Sequence, residues 1–193
     1  MKSLLERFSE YKENKFRERE ELLDSLKNGQ SPGIFLITCS DSRISVNEFT
    51  NSSPGEVFVI RNAGNVISEY DPDNPTSESI TLEYGVVALN IGEIVICGHR
   101  DCGAMKGVQN VDQLNNLPLV QKTLKKLGEA PLLRGAKDRS LEDVIGSNVK
   151  QQCQNLMTYP FIRERVISND LKVIGCVYDF AKGELDKVIS GAD

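Results

Sequence analysis

Two hydrophobic patterns alternate along this chain. Short apolar runs (Gly33 to Thr38, Val57 to Ile60 and Ile94 to Cys97, the last within an expected strand Glu93 to Cys97) stand between segments whose apolar residues recur at helical spacing. Continuous runs of this length, rich in bulky residues, read as strands covered on both faces. Turn residues punctuate them: Pro32 before the first, Ser53-Pro54-Gly55 before the second and Gly92 before the third. Among the helical segments, Ile80, Tyr84, Val87, Ala88 and Ile91 form one face behind the candidate N-caps Thr76 and Ser77, with Glu78 supplying first-turn negative charge. Leu141, Val144, Ile145, Val149, Cys153 and Leu156 form another, opened by a Ser140 and Asp143 capping pair and ended at Tyr159-Pro160. Shorter helices are expected around Val46 to Phe49, from Gly103 to a break at Asn115 to Pro118, over Leu119 to Leu127, and through Val166. Tyr70 to Pro75 and Gly128 to Asp138 read as loops, Leu171 to Phe180 as the last long strand, and Lys182-Gly183 as a turn into Glu184 to Ile189. The strand, helix, strand alternation implies parallel strands with right-handed crossovers: an α/β fold with a mostly parallel β-sheet core flanked by helices.

The first segment differs. From Ser3 to Lys27 the chain is heavily charged, with Leu4, Leu5, Phe8, Tyr11, Leu22, Leu23 and Leu26 at roughly helical spacing and Gly29 as a stop. One or two helices are expected, but the apolar stripe is thin for so long a segment. Two readings fit it: a solvated amphipathic arm, or an arm lying across a partner subunit. At 193 residues the whole is expected to be one domain over residues 1–193, an N-terminal helical arm at 1–29 leading into an α/β core at 30–193.

Charge narrows the function. With 23 basic and 28 acidic residues the net charge is −5, and no basic run provides a footprint for a phosphate backbone, so nucleic acid is not an expected partner. The most apolar stretch, Val86 to Cys97, is interrupted by Asn90, Gly92 and Glu93 and is too short to cross a bilayer. The N-terminus is charged where a signal peptide needs its apolar segment. A cytoplasmic protein with no membrane partner is expected. Five cysteines, an odd count spread over the chain, read as metal binding plus buried thiols rather than a disulfide framework.

Candidate chemistry concentrates in Cys39-Ser40-Asp41-Ser42-Arg43 and His99-Arg100-Asp101-Cys102-Gly103, which hold two cysteines and the only histidine at the ends of apolar runs. Thiolate and imidazole are donors that Zn²⁺ prefers. One short loop supplies His99 and Cys102, and the third donor, Cys39, must be brought by the fold. Three protein ligands leave one tetrahedral position open, the mark of a catalytic zinc site. Asp41 is placed either to fill that position or to be held off it in a bidentate pair with Arg43, and these arrangements have opposite consequences for a water at the metal. A phosphate-loop reading of Gly98 to Gly103 fails, since Ala104 and Met105 stand where Lys and Ser or Thr are needed.

Taken in order and spacing, the C-x-D-x-R segment, Arg61-Asn62-Ala63-Gly64-Asn65, and G-H-x-x-C-G-A at Gly98 to Ala104 resemble the β-class carbonic anhydrases. The resemblance covers Gln30 to Tyr178. It implies reversible hydration of CO₂ to bicarbonate and a proton through zinc-bound hydroxide, with zinc on Cys39, His99 and Cys102. Asp41, paired with Arg43, would accept a hydrogen bond from that hydroxide. It further implies a parallel sheet with helical arms, assembled as a homodimer or higher homo-oligomer with the site near the subunit interface. Gln30, Phe58, Ala63 and Tyr84 match positions lining the family's substrate pocket, with Gln30 supplied by the partner subunit, and the Gly103 N–H is a second donor to substrate. Some members close their site by binding bicarbonate between an Arg, a Tyr and a Trp. Arg61 and Tyr178 match, but Leu36 stands at the Trp position, so a constitutively open site is expected. Two other readings keep the zinc: hydrolysis of a related heterocumulene such as CS₂ or COS, and a non-catalytic subunit with Asp41 capping the metal.

Overall fold

The computed structural model describes residues 2–190. Its five strands, β1 (Ile34–Cys39), β2 (Val57–Asn62), β3 (Glu93–His99), β4 (Lys172–Asp179) and β5 (Glu184–Ser190), form one sheet in the order β2-β1-β3-β4-β5. The first four pair in parallel; β5 runs antiparallel beside β4. The apolar runs therefore form the parallel part, and β1, at its centre, is buried from Phe35 to Cys39. The fifth strand is the segment Glu184 to Ile189 that the Lys182-Gly183 turn was expected to lead into, a segment whose type the pattern left unassigned. Glu184-Leu185-Asp186-Lys187 has no strand-like apolar run, because an edge strand pairs through its backbone and carries charge on its open side.

Helices α1 (Leu4–Glu13) and α2 (Lys15–Ser25) form the arm. A capping box between Ser3 and Glu6 starts α1, and neither helix buries a residue within its own chain; Leu4 and Leu5 are 80% and 77% exposed. Next come α3 (Val46–Phe49), α4 (Ser77–Glu83), α5 (Gly103–Gln109), α6 (Pro118–Gly128), α7 (Leu141–Leu156) and α8 (Pro160–Ile167). As expected, Val144, Ile145, Val149, Cys153 and Leu156 of α7 are buried, packing in one core with Phe35, Ile37, Ile94, Ile96 and Val177 of the sheet. Gly98 makes this approach possible, because a Cβ there would lie 2.8 Å from Val149 Cγ2. The other sheet face carries a smaller cluster of Leu36, Val46, Cys97 and Cys176, with Val57, Val59, Val95 and Tyr178 only half buried.

The helix after Thr76 departs from expectation. Thr76 caps it, but after Glu83 it loosens into a π turn over Tyr84–Ala88, and Ile80, Tyr84 and Val87 of the expected core face are 58%, 50% and 58% exposed. Leu82, Gly85 and Val86 face inward instead. The reason is Gly85: a Cβ there would sit 2.6 Å from Phe35 Cε1, so only a glycine face comes this close to β1. Periodicity alone counts Gly85 as neutral and favours the bulkier stripe. The π turn has its own clamp, because Arg165 of α8 donates to the Val86 carbonyl at 2.7 Å. Arg165→Ala is expected to destabilise the fold by about 1 to 2 kcal/mol, the range for a charge-assisted hydrogen bond that is partly solvated. Urea unfolding checks this, together with faster amide exchange at Leu89 and Ile91, whose N–H groups close the turn onto Tyr84 and Gly85.

Candidate metal centre

Cys39 ends β1 and His99 ends β3, and these strands are neighbours, with Thr38 in register with Cys97. The parallel sheet so delivers both donors to its carboxyl edge, where open α/β sheets place their ligands. Cys102 sits at the N-cap of α5. The three donor atoms lie within 4.8 Å of one another, and all three residues are buried.

The ring of His99 is already oriented. Nδ1 lies 2.8 Å from the Arg100 carbonyl, to which Nδ1–H donates, and this leaves Nε2 with the lone pair. Nε2 is buried without a hydrogen-bond partner. A buried, unpaired imidazole nitrogen beside two thiols fits zinc.

The two sulfurs are coupled to each other. Cys39 is drawn down to about 4, chiefly by its hydrogen bond with Cys102 and further by His99 and the Gly64 N–H, which donates to Sγ at 3.4 Å. Cys102 is pushed above the usual thiol range by the same pairing and by burial. Of the two thiols Cys39 is therefore the more acidic. Zinc loading at roughly pH 7.5 is expected to release about one proton per chain from the cysteines, that of Cys102, where two free thiols would release about two, in each case on top of the proton given up by a zinc-bound water with a pKa near 7. Calorimetry in buffers of different ionisation enthalpy counts them.

Asp41 stands beside this set, its Oδ2 3.9 Å from His99 Nε2. Arg43 grips it twice, donating from Nε to Oδ1 at 2.9 Å and from Nη2 to Oδ2 at 2.7 Å, and the Arg43 backbone N–H adds a third bond to Oδ1 at 3.0 Å. These bonds hold the Asp41 carboxyl well below the usual carboxylate range. Arg61 fixes the same segment from beneath, donating to the Cys39 carbonyl at 3.0 Å and the Asp41 carbonyl at 2.8 Å.

The structure sorts the remaining candidates into two groups. Ala63 is exposed in the turn after β2, one residue before the Gly64 that touches Cys39, and Gly103 opens α5 next to Cys102. Phe58 and Tyr84 sit together, ring centroids 6.2 Å apart, but Phe58 pairs with Phe35 near the opposite end of β1 from Cys39. Gln30 is exposed on the segment entering β1 at that far end. At about 3.3 Å per residue, the four steps from Phe35 to Cys39 alone span about 13 Å. Within one chain, Gln30, Phe58 and Tyr84 do not meet the Cys, His, Cys set. Two neighbours of the set had no role in the sequence reading: Phe180, whose ring lies 4.6 Å beneath the Arg43 guanidinium, and Asp101, which accepts from Arg43. An aromatic just past a strand end and an acid between two ligand positions were the visible signals.

The family model described as Carbonic anhydrase matches residues 34–185. The chain belongs to the β-class carbonic anhydrases. A carbonic anhydrase of Synechococcus elongatus is 38% identical over 96% of this chain and 70% of its own length, and one of Pseudomonas aeruginosa is 35% identical over 96% and 86%. Among solved structures, the β-carbonic anhydrase CcaA superposes with a TM-score of 0.87 at 38% identity, covering 94% of this chain and 84% of that one. A tetrameric β-carbonic anhydrase of Sordaria macrospora superposes with a TM-score of 0.73 at 29% identity, covering 97% and 96%. As a carbonic anhydrase this chain is a lyase that hydrates CO₂, in a family of zinc enzymes, and its Cys39, His99, Cys102 group can hold the metal.

Proposed function

We propose that this carbonic anhydrase interconverts CO₂ and bicarbonate at a constitutively open site in which Cys39, His99 and Cys102 are the zinc ligands. Zinc bound there supplies a Lewis acid that brings the pKa of a water toward neutrality, making hydroxide available at ordinary pH. The chain's own residues do the rest. Asp41, ionised, accepts a hydrogen bond from the nucleophile and so aims its remaining lone pair at the carbon of CO₂. Arg43 occupies both Asp41 oxygens and keeps the carboxylate from closing the fourth position. The Gly103 N–H, in the first turn of α5, donates to the oxygen on which charge develops. With the only histidine committed to the metal, water and buffer carry the proton away.

The observation that carries this reading is the bidentate hold of Arg43 on Asp41 beside the bare His99 Nε2. Openness is supported by the surroundings of Arg61, which is spent on two backbone carbonyls, and by Leu36, buried in the second sheet face at the position where a Trp would help bind bicarbonate.

The substrate pocket is completed by a second copy. Gln30, Phe58 and Tyr84 lie far from their own Cys39, while Ile80, Tyr84 and Val87 expose apolar surface and the arm buries nothing in its own chain. A homodimer or higher homo-oligomer that seats this surface and the arm on a neighbour brings the three residues over the neighbour's metal. We read residues 1–193 as one domain, arm 1–29 and core 30–193. Among the described residues no helix is long and apolar enough to cross a membrane. Five buried free cysteines suit a reducing cytoplasm, where the enzyme would serve carbon utilization.

Stopped-flow CO₂ hydration on zinc-quantified protein, from about pH 6.5 to 9 to bracket a zinc-water pKa near 7, tests the proposal. An open site predicts activity across the whole span with one zinc per chain. Activity confined to the alkaline end would mean that Asp41 closes the metal.

A further inference from the structure

We infer that Asp101 is a positioning residue for the reaction, fixing Arg43, and through it Asp41, to the loop that carries His99 and Cys102. Its backbone is in the left-handed region, with φ at +59°, a conformation that side chains other than those of Gly, Asn and Asp seldom adopt. This turn presents two acceptors to Arg43. The carboxylate Oδ2 accepts from Nη1 at 2.9 Å, and the Asp101 carbonyl accepts from Nη2 at 3.2 Å. Arg43 gives its other edge to Asp41, and the ring of Phe180 lies against the guanidinium plane at 4.6 Å.

The consequence is geometric. An arginine held only by Asp41 could swing with that carboxylate, and the pair would constrain neither member relative to the metal ligands. With both edges of the rigid fork bonded and a face covered, Arg43 becomes a brace between the Cys39 segment and the His99 to Cys102 loop. Asp41 is then held at one distance from His99 Nε2. Lys106, paired with Asp101 from the middle of α5, completes an alternation of charge from Asp41 through Arg43 and Asp101 to Lys106. Because Lys106 balances Asp101, the second acid does not draw Arg43 away from Asp41. No other acidic side chain among the described residues is bonded to Arg43.

The inference rests on the roles given above to Asp41 and Arg43, and its test separates the two. Asp101→Gly keeps the left-handed backbone free of strain and removes only the carboxylate, while Asp101→Asn keeps both the backbone preference and an acceptor for Nη1. Asp101→Gly is expected to keep one zinc per chain and the wild-type unfolding midpoint, and to lower kcat by about tenfold with little change in KM, the smaller end of the loss seen for outer-shell partners of metal ligands. Asp101→Asn should recover most of that loss. With cobalt in place of zinc, the visible absorption spectrum reports the coordination sphere without turnover, and Asp101→Gly is expected to shift it toward the spectrum of Arg43→Ala. Wild-type kcat and wild-type cobalt spectrum in Asp101→Gly, with Arg43→Ala impaired, would overturn the role of Asp101 alone. Loss of zinc from Asp101→Gly that Asp101→Asn does not repair would also overturn it, since the carboxylate would then be needed to form the loop. Full activity in Arg43→Ala would remove the pair, and with it the brace.

Discussion

His99→Ala is expected to give a folded protein that keeps no zinc through dialysis and shows no measurable CO₂ hydration. The loss of affinity should exceed the roughly 100-fold that removal of an outer-shell partner can cost, because a ligand itself is gone. Nothing nearby can replace it. The chain has one histidine. Cys97, two residues upstream in β3, packs with Leu36 and Cys176 in the second-face cluster, and Cys153, its thiol pushed up to about 12 by burial, packs from α7 in the main core. Because a buried ring is removed, Cys102→Ser serves as the companion variant: it nearly preserves volume, takes away a thiolate, and is expected to lose zinc as well. Metal analysis and stopped-flow kinetics on both variants decide the matter. One zinc per chain with full activity in either would refute the ligand assignment.

Arg43→Ala is expected to lower kcat/KM by about 100-fold near neutral pH while zinc is retained, with the deficit shrinking toward alkaline pH. The sign follows from what Arg43 does to Asp41. In the wild type its hydrogen bonds hold the carboxyl ionised well below the usual range. Without them the pKa rises toward the ordinary value of about 3.9, which is still below the working range, so Asp41 stays charged and protonation is not the cause of the loss. The cause is movement. Asp41 Oδ2 is already 3.9 Å from His99 Nε2, and a released carboxylate competes for the open metal position. Hydroxide, its competitor, becomes scarcer as pH falls, so closure dominates on the acid side and is relieved on the alkaline side. A profile of kcat/KM against pH for both proteins tests this; a deficit equal at every pH would argue against competition at the metal.

Much of this could be read from the chain before any coordinates. Three of the four parallel strands were visible as short apolar runs bounded by turn residues and the fourth as a longer, mostly apolar segment, and α7 because its apolar stripe and Ser140 cap are properties of adjacent residues. What failed was of another kind. The helix through Tyr84 shows two apolar stripes, and the less bulky one is buried because Gly85 fits against Phe35, a residue fifty positions away. The segment that becomes β5 was delimited by its turn but not assigned as a strand, because Glu184, Asp186 and Lys187 break up the apolar pattern by which the other strands were read. Asp101 had no assigned role because its hold on Arg43 depends on a left-handed turn in one loop meeting a side chain from another.

The sequence by itself determined the candidate donor set, its single imidazole, its placement at strand ends and the spacing that puts an acid and an arginine two residues apart. These are matters of residue type and short-range spacing, and such information is local. Only the tertiary structure decided that Cys39 meets His99 across sixty residues of chain, that Nε2 rather than Nδ1 is left bare, and that Arg43 spans both metal segments. It also decided that Gln30, Phe58 and Tyr84 stand at the far end of β1 from their own Cys39. Each of these depends on strand register and on distances between remote residues, which parallel pairing and core packing set together and which no local pattern encodes.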